Sequence, residues 1–151
     1  MFTEYLYNGA NLFALPFWLL MVVLPNWGVT RRVMASYWPF VPLALAYIYC
    51  FATSIDPESL AAFANPTLSQ LAGLFADERV MATGWIHFIV MDLFVGRWIY
   101  LQGQEKGIFT RHSLALCLFA GPIGLLSHLT TQQLQERIFG LSEGEGSEAL
   151  G

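Results

Sequence analysis

The run from Val80 to Gly103, VMATGWIHFIVMDLFVGRWIYLQG, is apolar and long enough to cross a lipid bilayer, which takes about 20 residues, yet it carries Asp92 near its middle. A carboxylate at the centre of a spanning helix costs roughly 2.5–3.5 kcal/mol on insertion scales. A chain that keeps one there has a use for it. His87 precedes Asp92 by five residues and Arg97 follows it by five. Three further apolar stretches, at about 5–24, 36–55 and 113–130, are near spanning length. In lipid only a helix satisfies its own backbone within one segment of this kind. The expected fold is therefore all-α, a polytopic membrane protein with four transmembrane helices, over residues 1–140, followed by a disordered acidic tail at 141–151 rich in Gly, Ser and Glu.

Composition agrees. Only 12% of residues are charged, against about a quarter in soluble domains. The net charge of −4 and the lack of a basic cluster give no basis for nucleic-acid binding. Tyr5, Tyr7, Trp27, Tyr37, Trp38 and Tyr100 fall near the ends of the stretches, as an interfacial belt requires. Pro16 and Pro122 each remove a backbone donor and are expected to kink the first and fourth helices. Between the second and third stretches, Asp56-Pro57 and Asn65-Pro66 read as N-caps followed by proline. Leu68, Leu71, Ala72 and Phe75 recur at helical spacing, which predicts a short amphipathic helix on the membrane surface.

Basic residues set the orientation. Arg31, Arg32, Lys106 and Arg111 share one side, predicted to be cytoplasmic or stromal; Arg79 and Arg137 lie opposite with most of the acids. Both termini are then non-cytoplasmic. The N-terminal residues MFTEYLYNGAN lack the features of a signal or transit peptide, so a bacterial, cyanobacterial, chain or a processed plastid form is expected. Cys50 and Cys117 fall at different depths and are expected to stay unpaired.

Counting about 1.5 Å per residue sorts the polar residues by depth. Asp92 is near the midplane. His87, His128, Asn11, Tyr49, Cys50 and Thr53 fall together in the non-cytoplasmic half. They outline a polar recess with Asp92 at its floor. At about 100° per residue, His87 and Arg97 lie on opposite sides of Asp92, so the three cannot all touch along one straight helix. Asp92 reads as an acid or as an anchor between helices, Arg97 as a counter-charge or as a side chain snorkelling to headgroups, and His87 as a base or as a packed neutral imidazole. At the midplane the neutral acid is favoured over the carboxylate, so Asp92 can donate a proton while His87 accepts one. Trp85, Phe88 and Trp98 read as packing residues or as a lining for an apolar ligand. His87 and His128 at equal depth admit a haem or a chlorophyll. No metal site is expected, and no Gly-rich phosphate loop, H-E-x-x-H or paired C-x-x-C appears.

W-I-H-F-x-x-x-D-L-F-x-G-R-W-I, at 85–99, and G-P-I-G-L-L-S-H-L, at 121–129, resemble the abscisic-acid-deficient-four-like family of small four-helix membrane proteins. The resemblance runs along nearly the whole chain except the acidic tail. It implies a place in carotenoid metabolism: in plants, isomerisation of the epoxide violaxanthin to the allene neoxanthin, an internal rearrangement that needs no redox cofactor. Asp92, His87 and Arg97 are then the catalytic candidates, and Asn11, Tyr49, Trp85, Phe88, Trp98 and His128 the ligand-binding ones. The implied partners are membrane lipid, a carotenoid-type apolar ligand and possible assembly into a homo-oligomer or membrane complex. A non-catalytic subunit holding carotenoid, chlorophyll, haem or lipid is the alternative.

Overall fold

A computed structural model describes residues 2–54 and 65–148, with side chains through 138. Among these residues every regular element is helical: α1 (Phe2–Val23), α2 (Gly28–Ala35), α3 (Phe40–Ser54), α4 (Leu68–Leu74), α5 (Glu78–Lys106), α6 (Arg111–Phe119) and α7 (Gly121–Glu148). The all-α expectation holds. The chain divides into two compact units, one of residues 1–17 and 35–91, the other of 18–34 and 92–151. The Asp56-Pro57 cap lies outside the described residues.

Among the described residues two helices, α1 and α5, are long and apolar enough to cross a membrane. The stretch read as a second span, 36–55, holds α3 alone; only with α2 before it, across a 43° bend, does it pass as one span, which brings the total to three. The break falls at 36–39, where Pro39 denies its ring nitrogen to a helix hydrogen bond. α1 continues through Pro16. Leu12, Leu15, Leu19 and Val23 are all exposed along it, an apolar stripe of the kind that faces lipid rather than water.

In the first unit, local chemistry sets the start of each helix. Thr67 caps α4: its hydroxyl accepts from the Gln70 N–H, and the Gln70 side chain accepts from the Thr67 N–H at 2.9 Å. This capping box displaces the expected cap at Asn65 by two residues. Phe75, just past α4, seats on Gly84 of α5, where a Cβ would collide with its ring. Asp77 caps α5, its carboxylate accepting from the N–H of Arg79 at 2.8 Å and of Val80 at 3.4 Å.

In the second unit, α5 ends in a Schellman turn. Gly107 takes φ +67°, and the Ile108 N–H returns to the Gly103 carbonyl at 3.0 Å. The carbonyls freed at the end of α1 are also met: Tyr100 Oη donates to Pro25 O at 2.7 Å and Thr30 Oγ1 to Leu24 O at 2.8 Å. Gly96 lies against Trp18 and Met21. With Tyr100 on Pro25, these contacts climb together along both helices, so the paired parts of α1 and α5 run parallel.

The fourth apolar stretch is not a continuous helix in this structure. Ala120 is extended, at φ −158° and ψ 95°, and the chain reverses there. His112 Nε2 meets Thr131 Oγ1 at 2.9 Å, Ser113 Oγ meets Ser127 Oγ at 3.0 Å, and Cys117 packs on Gly124 so closely that no Cβ would fit. One index falls as the other rises, which is the pairing of an antiparallel hairpin. Pro122 therefore opens α7 rather than kinking a span. In the first turn its missing N–H costs no helix bond. Each arm near the turn is nine or so residues, about 14 Å at 1.5 Å per residue, half a hydrocarbon core. The returning arm reaches the end of α5, where Lys106 Nζ lies 3.8 Å from Glu136. Arg137, assigned from sequence to the opposite side, is thus next to a residue paired with Lys106. α7 as assigned runs on through Glu148, into the stretch read as an acidic tail.

Candidate functional site

The first unit holds two clefts against the N-terminal half of α5. One, about 380 Å³, is lined mainly by Tyr47, Phe51, Phe75, Val80 and Phe88, with His87, Ser54 and Thr83 as its polar groups. The sequence places Thr83 and His87 one turn apart on one face of α5, and α3 brings Tyr47, Phe51 and Ser54 to meet them. The His87 ring lies 5.6 Å from that of Tyr47 and 6.2 Å from that of Phe88.

The hydroxyl pair in this cleft is short of protons. Ser54 Oγ meets Thr83 Oγ1 at 3.1 Å. Ser54 also donates to Cys50 O, and Thr83 to Arg79 O at 2.8 Å. Three contacts share two hydroxyl hydrogens, so one is unfilled at any moment. Such a pair can turn a hydrogen toward a ligand oxygen without leaving both backbone carbonyls bare.

The second cleft, about 980 Å³ and more polar, is bordered by Thr3, Glu4, Tyr7, Asp77, Arg79 and Trp85. Asn11 and Trp85, both ligand candidates, satisfy each other: Trp85 Nε1 donates to Asn11 Oδ1 at 3.1 Å, while Asn11 Nδ2 donates to Tyr7 O at 2.8 Å. Tyr49 packs edge-on against Phe2 at 5.1 Å.

The remaining candidates belong to the second unit, and the two charged ones, Asp92 and Arg97, each sit against a helix end. The Asp92 carboxyl lies against the backbone of Gly121 at the start of α7, within reach of its N–H; a Cβ at Gly121 would run into that carboxyl. The N-cap position itself is Ala120, which has no side-chain acceptor, so Asp92 supplies from α5 what the local sequence lacks. A helix N-terminus also favours an anion. Cys117 Sγ donates to the Asp92 carbonyl at 3.5 Å. Arg97 is buried, and its Nε donates to Met34 O at 2.6 Å. Met34 lies in the last turn of α2, where cations are favoured for the converse reason. Arg97 is therefore not a side chain reaching for headgroups.

His128 is fully buried, its Nε2 2.7 Å from Gln102 Oε1 and its ring edge-on to Trp98 at 5.4 Å. Its Nδ1 is the buried side-chain atom without a hydrogen-bond partner among the described residues. The reversal at Ala120 sends His128 back toward Gln102 and the C-terminal end of α5. The structure thus gathers Asp92 and Arg97 in one unit and His87 in the other. Cys50 and Cys117 are both free and buried, as expected. Among the described residues no cluster of His, Cys, Asp and Glu has the geometry of a metal site. Ser54, Thr83, Tyr47 and Gly121 were missed by sequence reasoning. The Thr83–His87 spacing was the one signal that pointed to the cleft.

Helices of spanning length, charges placed on helix ends and an aromatic cleft with one imidazole define an all-helical protein suited to an apolar environment. The chain belongs to the ABA DEFICIENT 4-like family, whose model matches residues 5–128. It is 40% identical over 125 residues to protein ABA DEFICIENT 4, chloroplastic, of Arabidopsis thaliana. That alignment covers 80% of this chain and 57% of the plant protein, so the chain spans little more than half the length of that relative. No solved structure matches.

Proposed function

We propose that the chain is an integral membrane protein of carotenoid metabolism in a photosynthetic membrane, and that it isomerises an epoxy-carotenoid to an allene. Family membership supports the metabolic setting. The observation that carries the chemistry is the aromatic cleft in which His87 stands beside the Ser54–Thr83 hydroxyl pair. A polyene end group entering from lipid would lie along Tyr47, Phe51 and Phe88. Neutral His87 removes a proton from a polyene carbon. The electrons of that C–H bond form the new C=C bond of the allene, and the epoxide C–O bond breaks. The oxygen takes back one proton, from the imidazolium through Ser54 or Thr83. Atoms and protons balance, with nothing oxidised or reduced. In this reading Asp92 and Arg97 are positioning residues, each acting through the helix end it holds.

The same reading gives the membrane arrangement. α1, the bent pair α2–α3, and α5 cross. α6 and α7 dip to the level of Asp92 and return to the face they left. The C-terminus then shares the side of Arg31, Arg32 and Arg111, opposite the N-terminus. The cytoplasmic or stromal assignment of that side rests on its basic residues.

The test is conversion of an added epoxy-carotenoid by the protein in lipid vesicles. His87→Phe should lower turnover by about 10²-fold or more, the range of general acid–base catalysis. Thr83→Val should lower it less. Undiminished turnover in a folded His87→Phe variant would remove the imidazole from the reaction. Stoichiometric pigment retained without conversion would favour the pigment-binding subunit instead.

A further inference from the structure

We propose that the cleft at the turn between α5 and α6 binds a phosphate group. This cavity of about 420 Å³ in the second unit is walled by Asn26, Arg31, Gln104, Phe109, Thr110 and Arg111, among other residues, and no Asp or Glu lines it. Two guanidinium groups facing one cavity suit a tetrahedral oxyanion, since each offers a planar fork of donors. Among the described residues neither arginine has a carboxylate within ion-pair distance. The nearby cation Lys106 is engaged by Glu136.

The arginines are held differently. Arg31 lies beside the Tyr100 hydroxyl and interacts with it; that hydroxyl is buried and donates to Pro25 O. Arg111 is the first residue of α6. Thr110 occupies its N-cap and makes no side-chain cap bond. The first-turn N–H groups therefore add to the positive field at the cavity. The α5 Schellman turn, with Gly107 at φ +67°, folds Thr110 onto Gly103, where no Cβ would fit, and this closes the far wall. Phe109 is 64% exposed at the rim, an apolar side chain beside an anion site, as at a membrane interface.

A phosphate could come from an anionic phospholipid headgroup or from free phosphate, and the experiment separates them. The full chain in neutral detergent is titrated with phosphatidylglycerol, with phosphatidylcholine and, separately, with inorganic phosphate, while Tm is followed. A rise with phosphatidylglycerol alone assigns a lipid headgroup. A rise with inorganic phosphate as well assigns any phosphate. No rise with either, or an equal rise with phosphatidylcholine, overturns the site. Arg111→Gln should weaken the responding ligand about tenfold, as for one charge-assisted hydrogen bond, and Arg31→Gln with Arg111→Gln by more. Arg32→Gln, outside the lining, should leave affinity unchanged. Arg111 is exposed, so Arg111→Gln should keep the ligand-free Tm. Equal affinity in wild type and Arg111→Gln would sink the proposal even if the double variant failed to fold.

Discussion

Replacing Gly121 by Ala puts a methyl group where the Asp92 carboxylate now sits. Inserting a carbon into a packed contact costs about 1–3 kcal/mol, and pushing the carboxyl off the Gly121 N–H adds the loss of a contact of about 0.5–1.5 kcal/mol. Against a typical stability of about 5–15 kcal/mol, Gly121→Ala should be plainly destabilising. Asp92→Ala alone should cost about 1–3 kcal/mol by leaving that N–H without its acceptor. The double variant should cost much less than the sum, because the new methyl then occupies space the carboxylate has left. A coupling of about 1 kcal/mol or more is expected for groups in contact. Gly9→Ala is the control: its Cβ would meet nothing within 4 Å, and alanine is the better helix former. The assay is reversible unfolding in mixed detergent micelles, with helicity as the readout. Strict additivity of Gly121→Ala and Asp92→Ala, or a Gly121→Ala variant as stable as Gly9→Ala, would refute the view that Asp92 caps α7.

Arg97→Lys should be destabilising by about 1.5–3 kcal/mol, because lysine has no Nε to reach Met34 O; a Lys variant of unchanged Tm would return Arg97 to a snorkelling role. A reporter fused after Gly151 should appear on the same side as one inserted at Lys106; opposite sides would restore a fourth crossing. The Asp77 carboxyl is held below the ordinary carboxylate range chiefly by the Arg79 N–H, with the Val80 N–H and the Arg79 charge adding to it against some desolvation. A lowered folded value means that its contribution is full at neutral pH, above the unfolded value of about 4, and is lost as pH falls through the folded one. Asp77→Asn, still a good cap, should remove that part of the acid sensitivity of Tm; an identical pH profile would contradict the capping role.

Much of this fold was legible in the sequence. Length and apolarity marked α1 and α5 to within a few residues, because spanning helices are specified by composition over a long window. The Leu68–Phe75 stripe marked α4, and its cap could be read from Thr67 and Gln70 had the proline at 66 not drawn attention to Asn65. The hairpin was hidden because depth counting assumes a straight rod, and one extended residue at Ala120 breaks that assumption. Its signal was present as Gly121, Pro122 and Gly124 opposite the small side chain of Cys117, a pattern also expected of a kinked span. Asp92 stood out as a costly charge, but its partner is a backbone amide, which no side-chain pattern reveals. His87 stood out as a polar residue at depth; its neighbours on α3 did not, because a contact between two helices leaves no periodicity in either.

The proposed isomerisation is tested most directly by the mass and spectrum of what the protein releases. Purified protein in lipid vesicles is given a single epoxy-carotenoid under anaerobic conditions with no added reductant, and the pigments are extracted. The predicted product has the mass of the substrate and the shortened conjugation of an allene, and its yield exceeds one per protein. Recovery of unchanged pigment, or a product that differs from the substrate in mass, would contradict the proposed isomerisation.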